Sequence, residues 1–193
     1  VIGSPGGVTR FNNLSNLSLL AINGEKDSLF TIAEVRQDVA GMKASGIDLT
    51  FIEIAGKGHN PDLFLEKAAD VRKFLAAHTR DPLPKTVHWV VDPADGEAAV
   101  KFPANTFRWI RIDEAGEAKS RHAFEDAGKG LLRADLPRIE ATRDGNKIVV
   151  KTSGVTKYTV LLSPEMVDFA KPVVIETNGA ASFEGVVAAD LSD

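Results

Sequence analysis

A chain of 193 residues, 44% apolar and 26% charged, is long enough to fold as one large domain or two small ones with a real core. Its formal net charge of −4 gives no electrostatic footprint for nucleic acid and no basic patch for an anionic membrane. The absence of cysteine excludes disulfides and thiolate metal sites and leaves the redox compartment open.

No apolar run approaches the ~18 residues that a bilayer span requires, and no signal-peptide pattern is present. The chain starts at Val1 in mid-pattern, which suggests processing or, preferably, a piece of something longer. The run "LSLLAIN" (17–23), bounded by Asn16 and Gly24, reads as a strand buried on both faces. From Thr31 to Ser45 the spacing of Ile32, Val35, Val39 and Met42 is helical, with Thr31 and Glu34 as a capping box and Gly46 as the stop. "LTFIEI" (49–54) is a second strand. Asn60 and Pro61 then open a helix whose face is Phe64, Ala68, Val71 and Phe74 and which fades near His78. This β-α-β-α order predicts a parallel, helix-covered sheet, and two strands alone cannot complete one.

"TRDPLPK" (79–85) reads as an extended linker. Beyond it seven strand segments are predicted: "TVHWVVD", "TFRWIRID", "RIEAT", "KIVVKT", "KYTVLLS", "PVVIET" and "FEGVVAAD". Turn signals lie at Arg143-Asp144-Gly145-Asn146 and at Thr177-Asn178-Gly179-Ala180. Residues 114–135 are polar, with a short helix expected around 120–128. The expected organisation is therefore residues 1–80 as one domain and 81–193 as a strand-rich, β-sandwich-like domain.

Two loops carry the chemistry. Gly24-Glu25-Lys26-Asp27 follows the first buried strand, and Gly56-Lys57-Gly58-His59 follows the second, 59 − 27 = 32 residues later. A histidine moves protons near neutral pH, and a buried carboxylate fixes its tautomer. The bland alternatives are a helix-start acid at Asp27, favouring the dipole of the Thr31 helix, and a polar loop residue at His59. Glu25 is a weaker candidate acid, and Asp62 reads as a first-turn helix acid.

The order strand, G-x-x-D, helix, strand, Gly-rich histidine loop, helix over residues 1–80 resembles the C-terminal end of an α/β-hydrolase, of the esterase and prolyl-oligopeptidase-like kind. The resemblance implies an α/β fold: a parallel-sheet hydrolase portion followed by a small, mainly antiparallel β domain. It implies Asp27 as triad acid and His59 as triad base in a serine hydrolase acting on an ester or peptide substrate. The nucleophile motif of that family, G-x-S-x-G, is missing. "GSPGG" (3–7) is the nearest stretch, but Ile2 stands where its first Gly should be and Pro5 lacks an oxyanion N–H, so Ser4 fits poorly. The serine and the oxyanion donors are then expected in an upstream segment of the same protein, and this chain alone is expected to be inactive.

No cofactor and no metal are expected: His78, His88 and His122 have no acid at ligand spacing, and His59 with Asp62 is a single i, i+3 pair. "GSPGG" also lacks the Lys-Ser/Thr of a phosphate loop. Exposed sheet edges are expected to invite self-association. The compartment stays open, with a secreted or periplasmic bacterial setting slightly preferred. The alternative function is a non-catalytic binding module, with Trp89, Phe107, Trp109 and Tyr158 as a sugar platform.

Overall fold

The computed structural model describes residues 2–3, 11–44, 46–91, 105–116 and 136–188. They divide into two compact units whose boundary in the chain lies between Arg80 and Asp81.

The first unit is organised around β2 (Leu19–Gly24), all six residues of which are buried. It is paired in parallel with β1 (Ile2–Gly3) on one side and β3 (Leu49–Ile54) on the other. A short helix, α1 (Phe11–Leu14), precedes β2. Because successive side chains of a strand point to opposite faces, β2 feeds two separate clusters. Leu19 and Ala21 pack with Val35, Val39 and Met42 of α2 (Ile32–Ala44) and with Ile47 and Leu49. Leu20 and Ile22 pack with Leu63 of α3 (Leu63–Glu66) and Phe74 of α4 (Ala68–Ala77). The predicted spacing of Val35, Val39 and Met42 is the buried face of α2.

Helix α2 ends where Gly46 N–H bonds to Lys43 O and Ile47 N–H bonds to Met42 O, the paired bonds that close a helix through a residue beyond its end. The helix expected over 60–78 is two helices instead. Asn60 does not cap it: its Oδ1 accepts the Asp62 N–H at 2.8 Å in a local turn, and the backbone leaves helical geometry at Lys67 (φ −102°, ψ 22°).

The second unit has two sheets. A five-stranded sheet runs in the order β11 (Ala180–Gly185), β10 (Val173–Thr177), β8 (Lys147–Ser153), β7 (Arg138–Asp144), β4 (Thr86–Val90). A three-stranded antiparallel sheet runs β5 (Thr106–Phe107), β6 (Ile110–Ala115), β9 (Val155–Val160). Val87, Ile139, Ala141, Ile148, Val150 and Val173 of the first share one core with Trp109, Ile110 and Ile112, closed by Met166 and Val167. The five-stranded sheet is mixed, because β8 and β10 are parallel. Between them the chain crosses to the other sheet as β9 and returns through residues 161–172, so β10 enters alongside β8 rather than against it. "TFRWIRID" is two strands joined at Arg108 and Trp109, with Arg108 at φ 57°. The presumed linker is pinned: Pro84 O accepts the Trp109 Nε1–H at 2.9 Å, and Leu83 O accepts from Arg143 at 2.6 Å. The helix expected around 120–128 lies outside the described residues.

The fold class expected from the sequence does not hold. The described residues are 39% strand and 20% helix, and the sheets are antiparallel and mixed as well as parallel. A parallel-sheet α/β-hydrolase layout is not seen among them. The β-α-β pattern extends over three strands of one unit, while the β-branched runs after residue 86 pair mostly antiparallel through short turns.

Candidate functional site

Strands β2 and β3 are paired in register from Leu19↔Leu49 to Gly24↔Ile54, so they finish level with each other. The loops that follow, 25–30 and 55–62, therefore leave side by side from the carboxyl ends of adjacent parallel strands, where an open parallel sheet offers its natural crevice. Lys26 N–H bonds to Lys57 O at 2.7 Å and Glu25 N–H to Ile54 O at 3.0 Å. Gly24 makes this closeness possible. A Cβ there would lie 2.4 Å from Lys57 O and 2.6 Å from Gly58 O, closer than any side chain tolerates.

Asp27 is buried at the start of the first loop, its side chain 4% exposed. Its Oδ1 accepts the backbone N–H groups of Leu29 (2.9 Å) and Phe30 (3.0 Å), and its Oδ2 lies 2.9 Å from His59 Nδ1. Burial pushes the carboxyl towards its neutral form and is the largest single influence. It is outweighed by the Phe30 N–H, His59 and the Leu29 N–H acting together, so Asp27 sits below its ordinary value of 3.8. An ionised carboxylate only accepts hydrogen bonds, so the proton of the pair belongs on His59 Nδ1. That leaves Nε2 as a free lone pair, and among the described residues it has no hydrogen-bond partner. The ring is 46% exposed and tilted against Phe30 at 5.8 Å between centroids. The arrangement can take a proton at Nε2 and hold the resulting imidazolium against a fixed negative charge.

The two candidate residues are thus brought together by the structure. Oδ1 of Asp27 closes the turn ahead of α2 through Leu29 and Phe30 and bonds to none of the helix's own N–H groups among the described contacts. Glu25 does not reach His59; its Oε2 accepts the Gly56 N–H at 2.7 Å. Asp62 stands at the start of α3. His78 is engaged away from this pair, with Nδ1 on Phe74 O (2.7 Å), its ring against Phe74 and Nε2 3.7 Å from Asp48 Oδ2. His88 lies in β4 opposite Glu140, while Ser4 and His122 lie outside the described residues. Thr31 and Glu34 bond to each other at 2.6 Å rather than each to the backbone. Among the described residues no group of three or more His, Asp or Glu side chains is placed to hold a metal ion, and no helix is long and apolar enough to cross a membrane.

The aromatic platform is largely core. Trp109 is 1% exposed, Trp89 stacks on Phe107 at 4.5 Å, and Tyr158 bonds to Thr177 at 2.6 Å. The sequence reading missed three contributors to the site: the Leu29 and Phe30 N–H donors, the close approach at Gly24 and the Glu25 carboxylate on Gly56. Only the first left a signal, an Asp two and three residues ahead of free N–H groups before a helix, the signature of an Asx turn.

No family model, no curated protein and no solved structure matches this chain. With the mixed and antiparallel sheets, that overturns the expected membership of the α/β-hydrolases. The resemblance rested on an element order and two short loop motifs in residues 1–80, where the described strands form a parallel sheet of three; that much does not specify a family.

Proposed function

We propose that Asp27 and His59 form the acid–base pair of a serine hydrolase that cleaves ester or peptide bonds, with the serine supplied from outside the described residues. The proposal claims a site and a reaction, with no family assignment. The observation that carries it is the 2.9 Å bond from His59 Nδ1 to the buried Asp27 carboxyl, with Nε2 unpaired among the described residues and the His59 side chain about half exposed. In this reading Nε2 takes the proton of the attacking hydroxyl as its oxygen bonds to the acyl carbon. Nε2 then returns that proton to the departing oxygen or nitrogen, and Asp27 stays ionised throughout.

The test is turnover of p-nitrophenyl esters and peptide anilides by the full-length gene product, beside His59→Gln and Asp27→Asn. Each substitution is expected to lower kcat by roughly 10⁴-fold, as loss of a triad member does elsewhere. A fluorophosphonate should also label one serine in the parent and fail to label it in His59→Gln. Unchanged rates and labelling in both variants would overturn the reading.

A further inference from the structure

We propose that Glu25 is a positioning residue for His59, acting through the Gly56 peptide; the assignment rests on the reading of Asp27 and His59 as a working pair. A 2.9 Å bond between side chains on two loops persists only while the loops keep their spacing. The His59 side chain is about half exposed, with its ring 5.8 Å from that of Phe30, so packing alone does not hold it. The backbone of residues 55–58 must do so.

Three hydrogen bonds tie the end of β3 and that backbone to the acid loop, two of them reaching residues 55–58. Two are between main chains, Glu25 N–H to Ile54 O and Lys26 N–H to Lys57 O. The third is the Gly56 N–H to Glu25 Oε2, at 2.7 Å the length of a charge-assisted bond. It falls at a residue with φ +72°, where the chain turns back over Gly24, three positions before His59. Beyond the end of β3 this N–H has no strand partner in the ladder, and the carboxylate supplies one.

Arg36, whose charge feels Glu25, is committed elsewhere. Arg36 is held by Glu53 through two bonds, 2.9 Å from Nε and 2.6 Å from Nη2. The Glu53 contact, and to a smaller extent the negative charge of Glu25, keep the guanidinium above its ordinary value. Glu25 thus spends its carboxylate on the backbone of the histidine loop. It is the weaker of the two acid candidates in the sequence, and its role is geometric.

The test uses the 193-residue chain with ¹⁵N-labelled histidine and reads the Nδ1–H of His59 by NMR at neutral pH. The parent should show a hydrogen-bonded Nδ1–H that exchanges slowly with water. Glu25→Ala should lose that resonance and mix the two tautomers, while Glu25→Gln, whose amide oxygen can still accept the Gly56 N–H, should keep it. If Glu25→Ala unfolds the first unit, Glu25→Asp, one methylene too short to reach Gly56, takes its place with the same expected loss. Asp27→Asn is the direct control. Retention in Glu25→Ala with loss in Asp27→Asn would overturn the positioning role and leave the acid–base pair standing. Equal loss in Glu25→Gln would overturn a hydrogen-bond latch. Absence of the resonance from the parent would overturn the pair itself.

Discussion

Replacing Gly24 by Ala is the sharpest perturbation of the site that touches neither Asp27 nor His59. The added Cβ would stand 2.4 Å from Lys57 O, 2.6 Å from Gly58 O and 2.7 Å from the Lys57 carbonyl carbon. Cβ atoms essentially never come within 3.0 Å of such atoms, so the histidine loop must retreat by at least 3.0 − 2.4 = 0.6 Å. All three obstacles are backbone, so no side-chain rotation relieves the clash. Overpacking of this kind costs about 1–3 kcal/mol, and loss of the 2.7 Å Lys26–Lys57 bond adds about 1 kcal/mol. Two other glycines in the same loop serve as controls. Gly56→Ala meets open space and costs only the left-handed backbone, about 1–2 kcal/mol at φ +72°. Gly58→Ala makes an ordinary 3.6 Å contact with Lys26 O and should be nearly neutral. The assay is urea unfolding followed by helical circular dichroism, which reports the first unit because α1 to α4 all lie there. The expected order of loss is Gly24→Ala, then Gly56→Ala, then Gly58→Ala, with the His59 Nδ1–H weakened most in the first. A Gly24→Ala protein within about 0.5 kcal/mol of the parent, with that resonance intact, would refute the close-approach argument.

The folded carboxyl of Asp27 sits below its ordinary 3.8, so its stabilisation is fully present above that value and fades as pH falls through the lower folded value. Asp27→Asn should therefore be less stable at neutral pH by about 1.5–3 kcal/mol, with the gap to the parent closing below pH 3.8 in acid titrations; a gap independent of pH would contradict this. Trp109→Phe should destabilise the second unit by about 1–3 kcal/mol, because the half-buried Pro84 carbonyl loses its Nε1–H donor. The remaining tryptophan, Trp89, lies in the same unit and reports the transition by fluorescence. Asn146→Ala should loosen residues 163–172, since its amide donates to the carbonyls of Asp168, Lys171 and Pro172 and accepts the Asp168 N–H. Faster proteolysis within that segment, at a cost of about 1 kcal/mol, is the expected result.

What the sequence made legible were features with a local cause. The apolar run 17–23 is a fully buried strand because both of its faces are covered, and Val35, Val39 and Met42 recur at the helical period. The hairpins at Gly145-Asn146 and Asn178-Gly179 fall where left-handed residues were expected, with Gly145, Asn178 and Gly179 all at positive φ. The pairing of Asp27 with His59 was legible because each lies on the loop that follows a strand, and the level ends of β2 and β3 bring those loops together. What failed depended on partners distant in the chain. Arg108 breaks the run 106–113 with a left-handed backbone that no glycine or asparagine announces. Lys67 likewise interrupts a helical pattern without a glycine or proline. The strand expected from Phe183 onward starts at Ala180, because the Asn178-Gly179 turn fixes its pairing with β10. The parallel pairing of β8 with β10 follows from a crossing through the second sheet that no window of residues contains. The supposed family rested on an element order and two short loop motifs over residues 1–80, while the sheets of residues 86–185 are mixed and antiparallel.

The proposed chemistry at His59 depends on which ring nitrogen carries the proton. ¹⁵N NMR of the imidazole in the parent chain at neutral pH, with His59→Gln for assignment, measures this directly. The Asp27 bond predicts a His59 protonated at Nδ1 with Nε2 as a free acceptor, reverting in Asp27→Asn towards the Nε2–H form that an unconstrained imidazole prefers. A parent His59 already in the Nε2–H form, unmoved by Asp27→Asn, would mean that the pair does not hold in solution and that the proposed acid–base chemistry has no foundation.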